Sequence, residues 1–327
     1  MSKAGKIVRL AKSFLRQEPT PHQMNVLPSY DCNLRCSYCN QYGDRSRKMD
    51  FASFKAVVEK AEELRAGYFN FTGGEPLMWQ YLIESVAYLS QKNIGSHVTS
   101  NGFLLDDRMV TELGSAGLDS ICISLDGISN IEKSEKSLAR HEHDLTERLH
   151  YLRKNHHVII EINSVVNAAN ADQVPLLLDF AKRNKFFLSL GIEVPTIGTR
   201  QQEHTNYMKK ELSEAKKDEK WFLIDPTEYA DMPVFDCFMA KKKTLSIGPD
   251  LKIQYCFKTK KTAGSILEFS QRDYPAYLEE LRKHIGWCNP QCASKCAYMG
   301  QYYLKHPGAL IKMLYKEILV QQKARMG

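Results

Sequence analysis

The sequence predicts an α/β protein, a partial TIM-like (β/α)6 barrel followed by a small C-terminal unit of one β-hairpin plus helices. Three observations lead there. From about residue 23, short apolar runs rich in β-branched and aromatic residues alternate with amphipathic stretches. Six such β/α units in series imply parallel strands joined by right-handed crossovers. After about Lys185 the rhythm breaks, and the later sequence does not supply the two further units that a closed eight-unit barrel needs.

The strand-like runs are "MNVLPS" around Met24, "YFNFTGG" from Tyr68, "GSHVTSNG" from Gly95, "SICISLDG" from Ser120, "VIIEINSVVN" from Val158 and "FFLSLGIEVP" from Phe186. Their composition suits strands covered on both faces. Helical patterns lie between them at Phe51 to Arg65, Tyr81 to Gln91, Asp107 to Ser115, Glu132 to Asn155 and Asp172 to Arg183, several followed by a glycine or asparagine stop. Residues 201–220 are polar and charged and read as a solvated helix or connection. In "TLSIGPDLKIQYC" apolar residues alternate around Gly248-Pro249-Asp250, a hairpin signal, and a helix is expected from Tyr274 to His284. The predicted division is an N-terminal basic amphipathic segment (1–22), the barrel (23–215), a cysteine-bearing unit (216–300) and a C-terminal amphipathic helix (301–327).

A chain of 327 residues with 43% hydrophobic and 25% charged residues is of ordinary globular composition, long enough for a barrel-sized core. The start, "MSKAGKIVRLAKSFLRQ", breaks its apolar residues with Arg9 and Lys12, unlike a secretory signal, and no apolar run is long enough to span a bilayer. Several of the nine cysteines are clustered, which in a reducing compartment indicates metal ligands rather than disulfides. A cytoplasmic metalloprotein is expected. The net charge of +7 is modest, and the basic runs at Lys241 to Lys243 and Lys258 to Lys261 read as solvated surface. No nucleic-acid-binding signature is present, so no nucleic-acid partner is expected.

The stretch "YDCNLRCSYCNQYG" places Cys32, Cys36 and Cys39 at the spacing C-x3-C-x2-C without a fourth soft ligand nearby. Three thiolates can hold three irons of a [4Fe–4S] cubane and leave the fourth iron open. A zinc knuckle or unrelated buried thiols are the alternatives. Further motifs follow at the ends of later strands: "FTGGEPL", "TSNG" and "SLDG". Ligands of parallel β/α folds bind beyond the carboxyl ends of strands, where all of these lie. Gly73 and Gly74 let the backbone approach a ligand without an intervening Cβ.

These residues resemble the radical S-adenosylmethionine (SAM) superfamily, across most of the first 195 residues. In that family an aromatic residue usually precedes the third cysteine, here Tyr38, and the glycine-rich turn meets the amino group of SAM, here Gly73, Gly74, Glu75 and Pro76. Polar residues on later strands reach its ribose and carboxylate, which the resemblance carries to "TSNG" (Ser100, Asn101) and "SLDG" (Ser124, Asp126); taken alone, Ser100, Asn101 and Asp126 also read as turn residues, and Asn163, with Asn167 at the end of the fifth strand, is a further candidate. It implies a [4Fe–4S] cluster whose open iron is chelated by SAM, reductive cleavage to a 5′-deoxyadenosyl radical, and a one-electron donor such as flavodoxin or ferredoxin. Cys122, inside an apolar strand, reads as a small core residue. His156-His157, in a polar connection, does not read as a metal site. No catalytic acid or base stands out.

Cys237 and Cys256 bracket the hairpin, and Cys288, Cys292 and Cys296 follow at C-x3-C-x3-C. The set resembles the auxiliary-cluster domains of the same superfamily, called twitch or SPASM, and implies a second, fully ligated [4Fe–4S] cluster; four of the thiols holding zinc is the alternative. It departs from the usual SPASM series. Cys292 and Cys296 are favoured as ligands, with Cys288 the spare. At the chain ends, apolar residues at helical spacing (Ile7, Val8, Ala11, Phe14, Leu15; Leu310, Met313, Leu314, Ile318) oppose basic ones. Such helices cover the open edge of a partial barrel, or alternatively lie on an anionic membrane surface. The expected function is hydrogen abstraction from a peptide or small metabolite. A membrane-docked enzyme acting on a lipid or isoprenoid-like substrate, and a non-catalytic iron–sulfur scaffold or electron carrier, are the other readings.

Overall fold

The computed structural model describes Lys6, Arg9 and residues 20–39, 46–131, 134–141, 144–167, 169–192, 244–255 and 261–285. Six parallel strands run in sequential order: β1 (Gln23–Val26), β2 (Tyr68–Phe71), β3 (Gly95–Ser100), β4 (Ser120–Ser124), β5 (Ile159–Val166) and β6 (Phe187–Ile192). The crossovers carry α1 (Phe51–Glu63), α2 (Leu82–Gln91), α3 (Asp107–Ala116), α4 (Leu145–His156) and α5 (Val174–Asn184). Local chemistry sets their limits. Asp50 and Asp106 cap α1 and α3 by accepting from the backbone N–H groups of Ser53 and Met109, and Gly117 ends α3 in the left-handed conformation (φ 89°).

Alternate strand residues build the core. Met24, Val26, Phe69, Phe71, Val98, Ile121, Ile123, Ile160 and Ile162 are buried in one cluster with Phe54, Val57, Leu89, Leu113, Leu149 and Leu152 of the helices. The opposite parity is polar. Asn25 pairs in register with Asn70, Asn70 with His97 and His97 with Ser120; Cys122 lies beside Glu161, and Ser124, Asn163 and Ser189 form a further row. The barrel therefore has an apolar wall against its helices and a polar lumen.

The hairpin expected around Gly248 is present as β7 (Thr244–Ile247) and β8 (Lys252–Gln254), antiparallel with Ile247 opposite Ile253. It continues the barrel sheet, for β7 pairs in parallel with β1, and the sheet order is β6-β5-β4-β3-β2-β1-β7-β8-β9. The last strand, β9 (Thr262–Ser265), has no sequence signal, because "TAGS" is a short edge strand without apolar alternation. Helix α6 (Tyr274–Ile285) follows, as expected.

One helix is shorter than its pattern. Where a helix was expected from Glu132, α4 begins only at Leu145, and residues 134–141 fold back over the end of β4. There Lys136 O accepts from Asp126 N (2.6 Å), and the backbone N–H groups of Leu138 and Ala139 donate to Gly127 and Ile128 (2.9 and 3.0 Å). Those bonds compete with the helical ladder and win because Asp126 is fully buried beneath them. The connection 201–220 and the C-terminal helix lie outside the described residues. No helix among the described residues is long and apolar enough to cross a membrane.

Candidate radical SAM site

The C-x3-C-x2-C stretch leaves β1 at the carboxyl end of the sheet and is fastened from three sides. From β2, Gly74 N donates to Ser29 O (3.1 Å) and Glu75 N to Asp31 O (2.6 Å), so the Gly-Gly-Glu turn is zipped to the backbone just before Cys32. From the hairpin side, Gln254 Nε2 donates to the Tyr30 hydroxyl (2.6 Å). From the solvent side, Lys48 pairs with Asp31 (2.6 Å).

The two glycines are explained by this zipper. A Cβ on Gly74 would lie 2.0 Å from Asp31 O, and one on Gly73, whose φ is +112°, would lie 2.8 Å from Ser29 O. The space they save admits the backbone of the cysteine loop.

Glu75 is buried and fully engaged. Its Oε1 accepts from Ser100 Oγ (2.7 Å) and Leu77 N (3.0 Å), and its Oε2 accepts from Asn101 N (2.8 Å). Burial raises its pKa, opposed by the same three hydrogen bonds. The carboxylate therefore ties the end of β2 to the end of β3 and leads through Pro76 into a 3-10 turn (Pro76–Met78). Asn101 in turn reaches the cysteine loop: its Nδ2 donates to Asn33 Oδ1 (2.8 Å) and lies 4.0 Å from Cys32 Sγ.

On the other flank Tyr38 donates a short hydrogen bond to Asp126 at the end of β4. Burial first, and then the Asp126 charge, raise the Tyr38 pKa well above a normal phenol. Asp126 also accepts from Ser134 Oγ (2.7 Å) and Val165 N (3.3 Å), and the Lys136 ammonium lies 3.9 Å from it and 4.9 Å from the Tyr38 ring centre. Asp126 is thus a hub that fastens the cysteine loop to β4 and β5. Ser134 and Lys136 carried no sequence signal, since they sit in the segment whose pattern reads as helix. Ser124 and Asn163 are neighbours in register, both partly accessible from the lumen, and Ser189 Oγ donates to Asn163 Oδ1 (3.2 Å).

The three thiols share this loop. Cys39 N donates to Cys36 O (3.0 Å), and Leu34 N approaches Cys32 Sγ (3.4 Å). Burial raises the Cys32 and Cys36 thiols, Cys36 to about 11, so a metal cation is what would hold them as thiolates. Amide donors at a sulfur and half-buried thiols suit an iron–sulfur cluster, whose potential such hydrogen bonds tune. Cys237, Cys256, Cys288, Cys292 and Cys296 lie outside the described residues.

The sequence profile of the Radical SAM superfamily matches residues 26–167, which run from the end of β1 just past β5 and contain the cysteine loop, the Gly-Gly-Glu turn, Asn101, Asp126 and Asn163. Over that stretch the chain matches the radical SAM domain. The radical SAM superfamily uses a [4Fe–4S] cluster and SAM. The chain is 35% identical over 104 residues to the PqqA peptide cyclase of Gluconobacter oxydans, covering 31% of this chain and 29% of that protein. It is 26% identical over 186 residues to the mycofactocin maturase MftC of Mycolicibacterium smegmatis, covering 56% of this chain and 47% of that one. The matches thus span less than half the length of these curated relatives. Among solved structures, Streptococcus suis SuiB bound to precursor peptide SuiA superposes with a TM-score of 0.62 at 16% identity, covering 83% of this chain and 68% of that one. That likeness shows the partial-barrel fold.

Proposed function

We propose that this protein is a radical SAM enzyme that modifies a peptide. The observation that carries the reading is the three-thiol loop locked, through backbone hydrogen bonds, to the Gly-Gly-Glu turn at the carboxyl end of the sheet. A [4Fe–4S] cluster bound there supplies, when reduced by one electron, the cleavage of SAM to methionine and a 5′-deoxyadenosyl radical that abstracts hydrogen from substrate. Cys32, Cys36 and Cys39 are the thiolate ligands in this reading. The backbone at Gly73 and Gly74, with Pro76 beyond it, lines the amino-group side of SAM. Asn101, Ser124 and Asn163 meet its ribose and carboxylate. Glu75, Ser100, Tyr38 and Asp126 are positioning residues, since their polar atoms are already spent on one another and on the loops they join.

A peptide substrate is supported by relatives named for peptide cyclisation and maturation. A small metabolite is the other class that the lumen would admit. A flavodoxin- or ferredoxin-type donor supplies the electron, and a second [4Fe–4S] cluster on Cys237, Cys256, Cys292 and Cys296 belongs to the unit assigned to residues 216–300. The membrane-docked alternative finds less support. Lys6 is committed inward, pairing with Asp119 (2.8 Å) and donating to Gly117 O, and Arg9 donates to Lys92 O near Glu62.

The test is anaerobic reconstitution with a strong reductant. The protein should convert SAM to 5′-deoxyadenosine and methionine, and the C32A/C36A/C39A variant should not. Continued cleavage by that variant would sink the proposal.

A further inference from the structure

We propose that His97, Cys122 and Glu161 form a zinc site inside the barrel, separate from the three-cysteine loop. Three adjacent strands contribute one residue each. Cys122 of β4 is the register partner of Glu161 of β5, and His97 of β3 pairs with Ser120, one pleat earlier, which makes it the diagonal neighbour of Cys122. All three belong to the lumen parity, and one ligand atom from each lies within 4.8 Å of the others. Cys122 is buried at 4% exposure, and His97 and Glu161 are half-buried.

The donor set selects the ion. An imidazole nitrogen, a thiolate and a carboxylate oxygen together suit zinc, which accepts all three in tetrahedral geometry. Magnesium and calcium favour oxygen-only sites and gain little from the sulfur. Three protein ligands are the number found where zinc keeps a fourth position for water or a substrate atom. The histidine also has the outer contact that zinc ligands carry. His97 Nδ1 lies 2.8 Å from Ser120 Oγ, which lies 2.6 Å from the Tyr68 hydroxyl, a chain of contacts that orients the imidazole from outside the site. A dication also reconciles a thiol with an adjacent carboxylate, by converting the thiol to thiolate and attracting both.

The placement gives the site a task. Cys122 and Glu161 stand two residues below Ser124 and Asn163, which is about 7 Å along a strand and on the same face. A donor atom of a substrate lying in the lumen, such as a carboxylate or a side-chain thiol, would complete the tetrahedron beneath the row assigned to SAM. Cys122 was expected to be an ordinary core residue because Ile121 and Ile123 flank it. The register shows that those isoleucines belong to the helix-facing core and Cys122 to the lumen.

The test uses the full chain after its iron–sulfur clusters have been reconstituted, so that the cluster cysteines are occupied, and then equilibrated with zinc and desalted. Elemental analysis should find one zinc per chain in addition to iron. C122S and E161Q, at unchanged iron content, should bind zinc at least tenfold more weakly. Zinc-edge X-ray absorption on the unmutated protein should show one sulfur at about 2.3 Å and nitrogen or oxygen at about 2.0 Å. An all-sulfur shell, no zinc uptake, or equal uptake by the variants would each overturn the site. The absorption spectrum decides the question even if a variant fails to fold, and none of these readouts depends on SAM cleavage.

Discussion

His141 shows how a single side chain can make the fold sensitive to acid. Its ring stacks on Phe103 with centroids 4.1 Å apart, and its Nε2 is buried without a hydrogen-bond partner among the described residues. Burial lowers its pKa from 6.5 to about 4, so folding favours the neutral ring. Because the folded value lies below the unfolded one, the stabilisation is complete above pH 6.5 and is lost as pH falls toward 4. Urea melts across that window should show stability declining with acid, and His141→Phe should flatten the decline; an unchanged slope would count against this role. At this scale the sequence reveals chemistry better than partners. The cysteine spacing and "GGEP" are visible because their residues are close in the chain. The partner of Tyr38 is Asp126, 88 positions away, and only the fold brings them together.

Elements add a constraint that no isolated residue displays, namely how closely two backbones may lie. Gly74→Ala would force a Cβ to within 2.0 Å of the Asp31 carbonyl oxygen, with backbone on both sides and no flexible side chain to yield. The expected cost is about 3 kcal/mol, at the upper end for overpacking, with less iron retained after reconstitution. Gly264→Ala on β9 is the control, since nothing lies within 4 Å of its Cβ position, and it should be close to neutral. Equal stability of the two variants in denaturant melts would remove the zipper's significance. Element existence was legible wherever the pattern was long and the contacts local, as in α1, α2 and α3. It failed at residues 134–141, where the buried carboxylate of Asp126 draws the chain out of helix. Strand β9 was missed because its ladder bonds, not its side chains, place it.

At the scale of the molecule the barrel fold was legible from the rhythm of its six units. That the hairpin continues the same sheet was not, because β1 and β7 are separated by more than two hundred residues and their pairing leaves no local mark. A chain ending at residue 243 should therefore expose the free edge of β1 and aggregate, while the full chain stays monodisperse; equal solubility in size-exclusion chromatography would contradict this. The same pairing sets a timetable for synthesis. The strand that leads into the cysteine loop emerges early but stays unflanked on one side until Thr244–Ile247 has been made. At about 5–20 residues per second, that wait is on the order of ten to forty seconds. During it the loop and its three thiols are carried on a half-paired strand, open to oxidants and to stray metals. The completed sheet is then the natural checkpoint before metal loading, so iron–sulfur delivery to this protein is best timed after release from the ribosome.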